Sequence, residues 1–232
     1  MIDAENAYAW DSLDLTITTC RHCPRLVAWR EEVARVKRRA FRDETYWGKP
    51  VPGFGDRSAR VLIVGLAPAA HGANRTGRMF TGDSSGDFLY AALHRFGFAN
   101  QPASRSRDDG LTLTGAFISA ACRCAPPDNK PAPAELTACL PFLRQEIALL
   151  QDLRVVVALG RIAFDIVPLV FAPQPLPPNP QPLMFAHGAS YTLGPGLPAL
   201  VASYHPSRQN TQTGRLTAEM FDRVWARVQR FL

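Results

Sequence analysis

Two stretches of the sequence combine residues that do chemistry with residues too small to obstruct it. The first begins Gly65-Leu66-Ala67-Pro68-Ala69-Ala70-His71-Gly72 and continues through Arg75 to Phe80-Thr81-Gly82-Asp83; the second is His205-Pro206-Ser207-Arg208-Gln209-Asn210. Glycine and alanine let a backbone approach a ligand, Asp83 and His205 are titratable, and Phe80 offers a flat apolar face. Singly, each has an ordinary structural reading: Asp83 or Ser84 as a helix N-cap, Phe80 as core, His205 as a residue satisfied by backbone at a helix entry. Together on adjacent loops, an aromatic, a carboxylate and a histidine supply stacking, water positioning and charge stabilisation. Those are the needs of a site that acts on a nucleobase swung out of its helix.

The five cysteines are the second chemical feature. Cys20 and Cys23 form a Cys-x-x-Cys pair, while Cys124 and Cys139 enclose fourteen residues, with Cys122 an alternative to Cys124. Two pairs of thiolates close one tetrahedral zinc site or hold one [4Fe-4S] cluster, and spacing does not choose between them. An odd cysteine count with a Cys-x-x-Cys pair suits a reducing compartment better than a disulfide frame. Such a site would pin an otherwise free N-terminal arm. That arm is basic: residues 21–42 carry eight Lys and Arg against Glu31 and Glu32, a net +6 equal to the charge of the whole chain. Of the 26 cations 23 are Arg, the side chain suited to bidentate phosphate contact, so a polyanion is expected to meet this arm.

These groups need a scaffold, and the hydrophobic pattern supplies one. Residues 61–66 and 155–159 are wholly apolar runs, 199–204 is apolar apart from Ser203 and 116–121 is a less pure one, as in parallel strands buried on both faces. Between them, Phe88, Leu89, Ala92, Leu93 and Phe96 share one helical face, preceded by Ser84 and Asp87 at capping-box spacing. Leu136, Leu140, Leu143, Ile147 and Leu150 share another, and Leu216, Phe221, Val224, Trp225 and Val228 a third. Residues 24–41 also read as a helix, with Pro24 in its first turn. Alternating strands and helices give one α/β domain over residues 1–232. Seven prolines within 168–182 argue for an irregular surface loop. No apolar run approaches 18 residues and the first fifteen are acidic, so no membrane partner is expected, and the location expected is cytoplasmic.

The motifs in sum resemble the uracil-DNA glycosylase superfamily, and within it family 5, the type B enzymes of thermophilic and actinobacterial prokaryotes. The resemblance is carried by Cys20 and Cys23, YWGKPVPGFGD (46–56), the whole of 65–83, RCAPPDNKP (123–131), LGRIAF (159–164) and YHPSRQN (204–210). It implies a three-layer α/β/α fold around a central four-stranded parallel sheet, and a [4Fe-4S] cluster on Cys20, Cys23, Cys124 and Cys139. It also implies excision of uracil, hypoxanthine, xanthine and ethenocytosine from double-stranded DNA containing deaminated bases, the chain acting as a monomer. On that reading Arg38, Arg39, Arg42 and Arg75 grip the DNA backbone. Phe80 stacks on the base, and the backbone of Gly65, Ala67 and Ala70 reads its edge. His205 stabilises the departing base anion, Asp83 positions water and stabilises the sugar cation, and Arg208, Gln209 and Asn210 enter the helix. The chain departs from better-known members in having no polar residue in Gly-Leu-Ala-Pro-Ala-Ala (65–70) and no Asn near Ala120. Asn129, in the Pro-Pro-Asp-Asn turn, is the expected substitute. The rival reading is a non-catalytic iron-sulfur or zinc protein that binds nucleic acid.

Overall fold

The structure is a computed structural model and describes residues 3–172 and 183–232. Among the described residues six strands form one sheet: β1 (Phe54–Gly55), β2 (Val61–Gly65), β3 (Ala116–Ala120), β4 (Val155–Leu159), β5 (Ser190–Thr192) and β6 (Ala199–Ser203), in the order β1-β3-β2-β4-β6-β5. The four apolar runs are the central strands, all mutually parallel. The expected count of four is therefore corrected to six. The two additions are antiparallel edge strands of two and three residues, too short to leave a periodic signal.

Alternation along these strands divides the core into two layers. Val61, Ile63, Ile118, Val157 and Val201 point to one face, where α4 (Ser84–Arg95) and α8 (Ala218–Val228) pack. Leu62, Val64, Phe117, Val156 and Leu200 point to the other, covered by α1 (Ala4–Thr19), α5 (Pro133–Leu149) and α6 (Arg161–Phe171). Both faces are covered, which is why these strands are almost entirely apolar, with only Ser119 and Ser203 interrupting them.

Three expectations change. The N-terminal arm is not free: α1, capped by Asp3, sets Trp10, Leu13 and Ile17 into the second layer, with Trp10 packed 4.8 Å from Phe117. The basic helix stops early, α2 covering Pro24–Val36; Lys37 leaves it at φ +59, and Arg39–Phe41 forms a separate 3-10 turn. Pro168 lies inside α6, near its end, where it forgoes one backbone bond. The rest of the proline-rich stretch, 173–182, lies outside the described residues.

Candidate active site and cysteine site

Parallel strands bring their carboxyl ends to one sheet edge, so the loop after β2 and the loop after β6 meet there. They enclose a pocket whose wall includes Gly65, Ala67, Pro68, Met79 and Ala120, and whose polar side chains are Asp83, Ser85 and His205, with Phe80 between them. Phe80 sits at φ +52, a strained conformation for a side chain without local hydrogen bonding. Its ring crosses Gly65 so closely that a Cβ there would lie 2.9 Å from Phe80 Cζ. The His205 ring lies against Phe80 at 5.8 Å and 28°, an offset stack with no room for a base between the rings. Burial pushes the His205 pKa down to about 4, so the imidazole is neutral at pH 7. Asn210, in α7 (Arg208–Gln212), donates from Nδ2 to the His205 carbonyl at 2.8 Å and fixes this loop.

Asp83 caps a helix and lines the pocket at once. It is the N-cap of α4, with Oδ1 accepting from the Ser85 and Gly86 N–H groups, both at 3.0 Å. Ser84 is the first helical residue, so the capping box expected from Ser84 and Asp87 gives way to an Asp83 cap. The other oxygen, Oδ2, faces Gly72, where a Cβ would come within 2.0 Å of it. Burial raises the Asp83 pKa, and the two N–H donors oppose that rise.

Ser85 went unnoticed in the sequence because a hydroxyl beside a helix cap carries no distinctive pattern. Conversely, Ala70 does not line the pocket, although Gly65 and Ala67 do. Its carbonyl instead accepts from Asn74 Nδ2. Nor does Asn129 line it: the residue is exposed in a 3-10 turn, and Asp128 and Asn129 both hold positive φ, a conformation these types tolerate. Arg75 is also corrected. It is buried, with Nε on the His71 carbonyl, Nη2 on the Gly82 carbonyl, Nη1 on Glu44, and its face on the Phe41 ring 4.0 Å away. A guanidinium so engaged holds the loop rather than DNA. Arg208 and Gln209 are exposed at the start of α7.

Much of the basic segment is neutralised in place. Arg21 pairs with Glu31, Arg25 with Glu135 and Arg35 with Glu32, while Arg30 is buried. Arg38, Arg39 and Arg42 remain exposed, Arg42 with only a loose 3.6 Å contact to Asp43.

Cys20, Cys23, Cys124 and Cys139 line one narrow recess together with Arg30, Arg123 and Leu26. Cys122 lies outside it, its Sγ 3.9 Å from Cys139 Sγ. The four sulfurs border the recess without closing on a point: among the described residues no group of three or more His, Cys, Asp or Glu is gathered to hold a metal ion. Arg30 donates from Nη1 to Cys124 Sγ at 2.9 Å, and its Nε has no partner. Arg123 pairs with fully buried Glu146, yet its Nε and Nη1 are also unpartnered. Buried donors left empty beside four thiols fit an anionic, sulfur-ligated group.

Residues 52–229 match the Uracil DNA glycosylase superfamily. The chain belongs to this superfamily. Its relatives include the type-5 uracil-DNA glycosylase of Thermus thermophilus, 57% identical over 215 residues, which are 93% of this chain and 94% of the relative. The type-5 uracil-DNA glycosylase of Mycobacterium tuberculosis is 55% identical over 92% of this chain and 78% of its own. That of Pyrobaculum aerophilum is 43% identical over 94% and 91%. The superfamily match begins beyond Cys20 and Cys23, whereas coverage of the type-5 relatives extends over nearly the whole chain. No helix among the described residues is long and apolar enough to cross a membrane.

Proposed function

We propose that this superfamily member is a uracil-DNA glycosylase that removes deaminated bases from double-stranded DNA by hydrolysis of the N-glycosidic bond. The observation that carries the reading is the pocket at the sheet edge, where Phe80, Asp83 and a neutral His205 meet within a wall of small residues. The everted base displaces the imidazole from Phe80 and stacks on that ring, while backbone groups of Gly65 and Ala67 meet its edge. As the glycosidic bond stretches, negative charge grows on the base and positive charge on the sugar. His205 donates a hydrogen bond to the base oxygen, and being neutral it retains its proton supply without needing a charged partner. The Asp83 carboxylate, held by two backbone donors, faces the sugar cation and orients the attacking water.

With no amide side chain among the described residues of the pocket wall, discrimination rests on backbone and the rotatable Ser85 hydroxyl, which donates or accepts as required. This supports hypoxanthine, xanthine and ethenocytosine as further substrates. Arg38, Arg39 and Arg42 supply the sequence-independent grip, and Arg208 and Gln209 enter the duplex at the vacated position. The protein acts as a monomer in the cytoplasm. Cys20, Cys23, Cys124 and Cys139 would hold the [4Fe-4S] cluster, which would tie the start of α2 to the α5 layer.

The deciding experiment is alkali-sensitive strand cleavage of duplexes bearing uracil, hypoxanthine, xanthine or ethenocytosine. Formation of an abasic site at uracil, lost together in Asp83→Asn and His205→Ala, is the expected result. A protein that binds these duplexes but leaves every base in place would establish the non-catalytic alternative. Iron and sulfide analysis separates the cluster from zinc.

A further inference from the structure

Helix α2 stands between the cysteine recess and the pocket loop. On one side Leu26, Val27 and Arg30 line the recess, and the Arg30 guanidinium holds both Cys124 Sγ and the Cys20 carbonyl. On the other, the Arg30 carbonyl accepts from Nδ2 of Asn74 at 3.3 Å, and the same amide reaches the Ala70 carbonyl at 3.4 Å. Asn74 is fully buried in the short helix α3 (Ala73–Thr76), and its neighbour Ala73 lines the active-site pocket. The chain leaving α2 closes on the same loop. Tyr46 meets His71 Nδ1 at 3.1 Å, the Trp47 N–H donates to the Arg75 carbonyl at 2.8 Å, and the Gly48 N–H donates to the Asn74 carbonyl at 3.0 Å.

We propose that Asn74 couples the cysteine site to the catalytic pocket: a filled site anchors Arg30 and α2, and Asn74 passes that anchorage to residues 67–76. The inference rests on the reading that the four cysteines hold an iron-sulfur cluster. Its physical basis is Arg30. Beside an anionic cluster this buried cation is compensated, and its empty Nε has an acceptor. Without the cluster it keeps the Cys20 carbonyl and Cys124 Sγ and a loose 3.6 Å contact to half-exposed Glu31, while its Nε stays empty, so α2 is held less firmly. The Asn74 amide then loses its partner on α2 and the pocket loop loses its brace, which makes two discrete arrangements that the cysteine site biases.

The test is amide hydrogen exchange, read by mass spectrometry, on protein purified without air and again after iron removal with ferricyanide and EDTA. Loss of the one buried hydrogen bond from Asn74 to α2 makes exchange across 67–76 rise about fivefold when iron leaves the wild type. In Asn74→Ala, and in the size-conserving Asn74→Asp, the same segment exchanges fast with iron in place, and iron removal adds little. Absorbance near 400 nm and iron content stay those of the wild type in both variants. Unchanged exchange at 67–76 after iron removal from protein that keeps its circular dichroism overturns the coupling, as does wild-type protection in both folded variants. Protein purified without iron or that absorbance overturns the cluster reading and the coupling with it. Coupled exchange in a protein that excises no uracil leaves the coupling standing and removes the catalytic reading.

Discussion

Gly72→Ala is the sharpest probe of the site because it touches the carboxylate without altering it. A Cβ at Gly72 would lie 2.0 Å from Asp83 Oδ2, a contact that real Cβ atoms do not make below 3.0 Å. The carboxylate therefore has to retreat by about 1 Å. Oδ1 cannot follow freely, since the Ser85 and Gly86 N–H groups hold it at the head of α4. The group responds by rotating Oδ2 away from the pocket or by giving up part of its cap. A misplacement of about 1 Å in a positioned catalytic group costs on the order of 100-fold in rate, close to 3 kcal/mol of barrier. Loss of the cap costs only about 1 kcal/mol of stability. Single-turnover excision from a uracil duplex, with enzyme in excess, should fall about 100-fold, while thermal unfolding shifts by a few degrees at most. The Asp83→Asn variant, which keeps the cap acceptor, should fall at least as far. A Gly72→Ala protein within threefold of the wild-type rate would show that Oδ2 takes no part in the reaction.

The other predictions use the same assay or its binding counterpart. His205→Ala removes one electrostatic donor worth about 3 kcal/mol and slows cleavage by roughly two orders of magnitude. Because burial holds the His205 pKa at about 4, its charge is constant from pH 5 to 9, and the variant's pH–rate profile should lie parallel to the wild type there. Asp83 acts ionised, and burial raises its pKa, so activity falls with acid through a limb lying above the ordinary aspartate range; that limb disappears in Asp83→Asn. Ser85→Ala keeps the backbone donor to Asp83, so it should narrow the range of bases removed more than it slows uracil excision. Replacing Arg38, Arg39 and Arg42 together by Ala should flatten the slope of log K against log salt by roughly 3 without changing the saturated single-turnover rate. The measurement is duplex-binding titration at several salt concentrations.

What could be read from the sequence, and what could not, divides by the distance over which each residue finds its partner. The four central strands are legible since burial on both faces makes each one an apolar run broken at most by a single serine, Ser119 in β3 and Ser203 in β6. Helix α1 is not, because its only marks are Trp10, Leu13 and Ile17 in a segment otherwise polar or mixed, and the surface they bury against is α5 and β3. Asp83 and His205 are legible as a pair because parallel topology obliges the loops after β2 and β6 to meet at one edge. The errors lie with residues judged by charge or by type alone. Arg75 reads as a free cation until Glu44, 31 residues earlier, is folded against it. Arg30 counts toward a basic DNA-binding helix until the recess between Cys20 and Cys124 encloses it. Asn129 follows from the absence of an amide elsewhere, but an absence specifies no position, and its turn points it to solvent. Of the net +6 of residues 21–42, Arg25 and Arg30 are thus committed inside the fold, and the charge left for DNA is concentrated in the short run from Lys37 to Arg42.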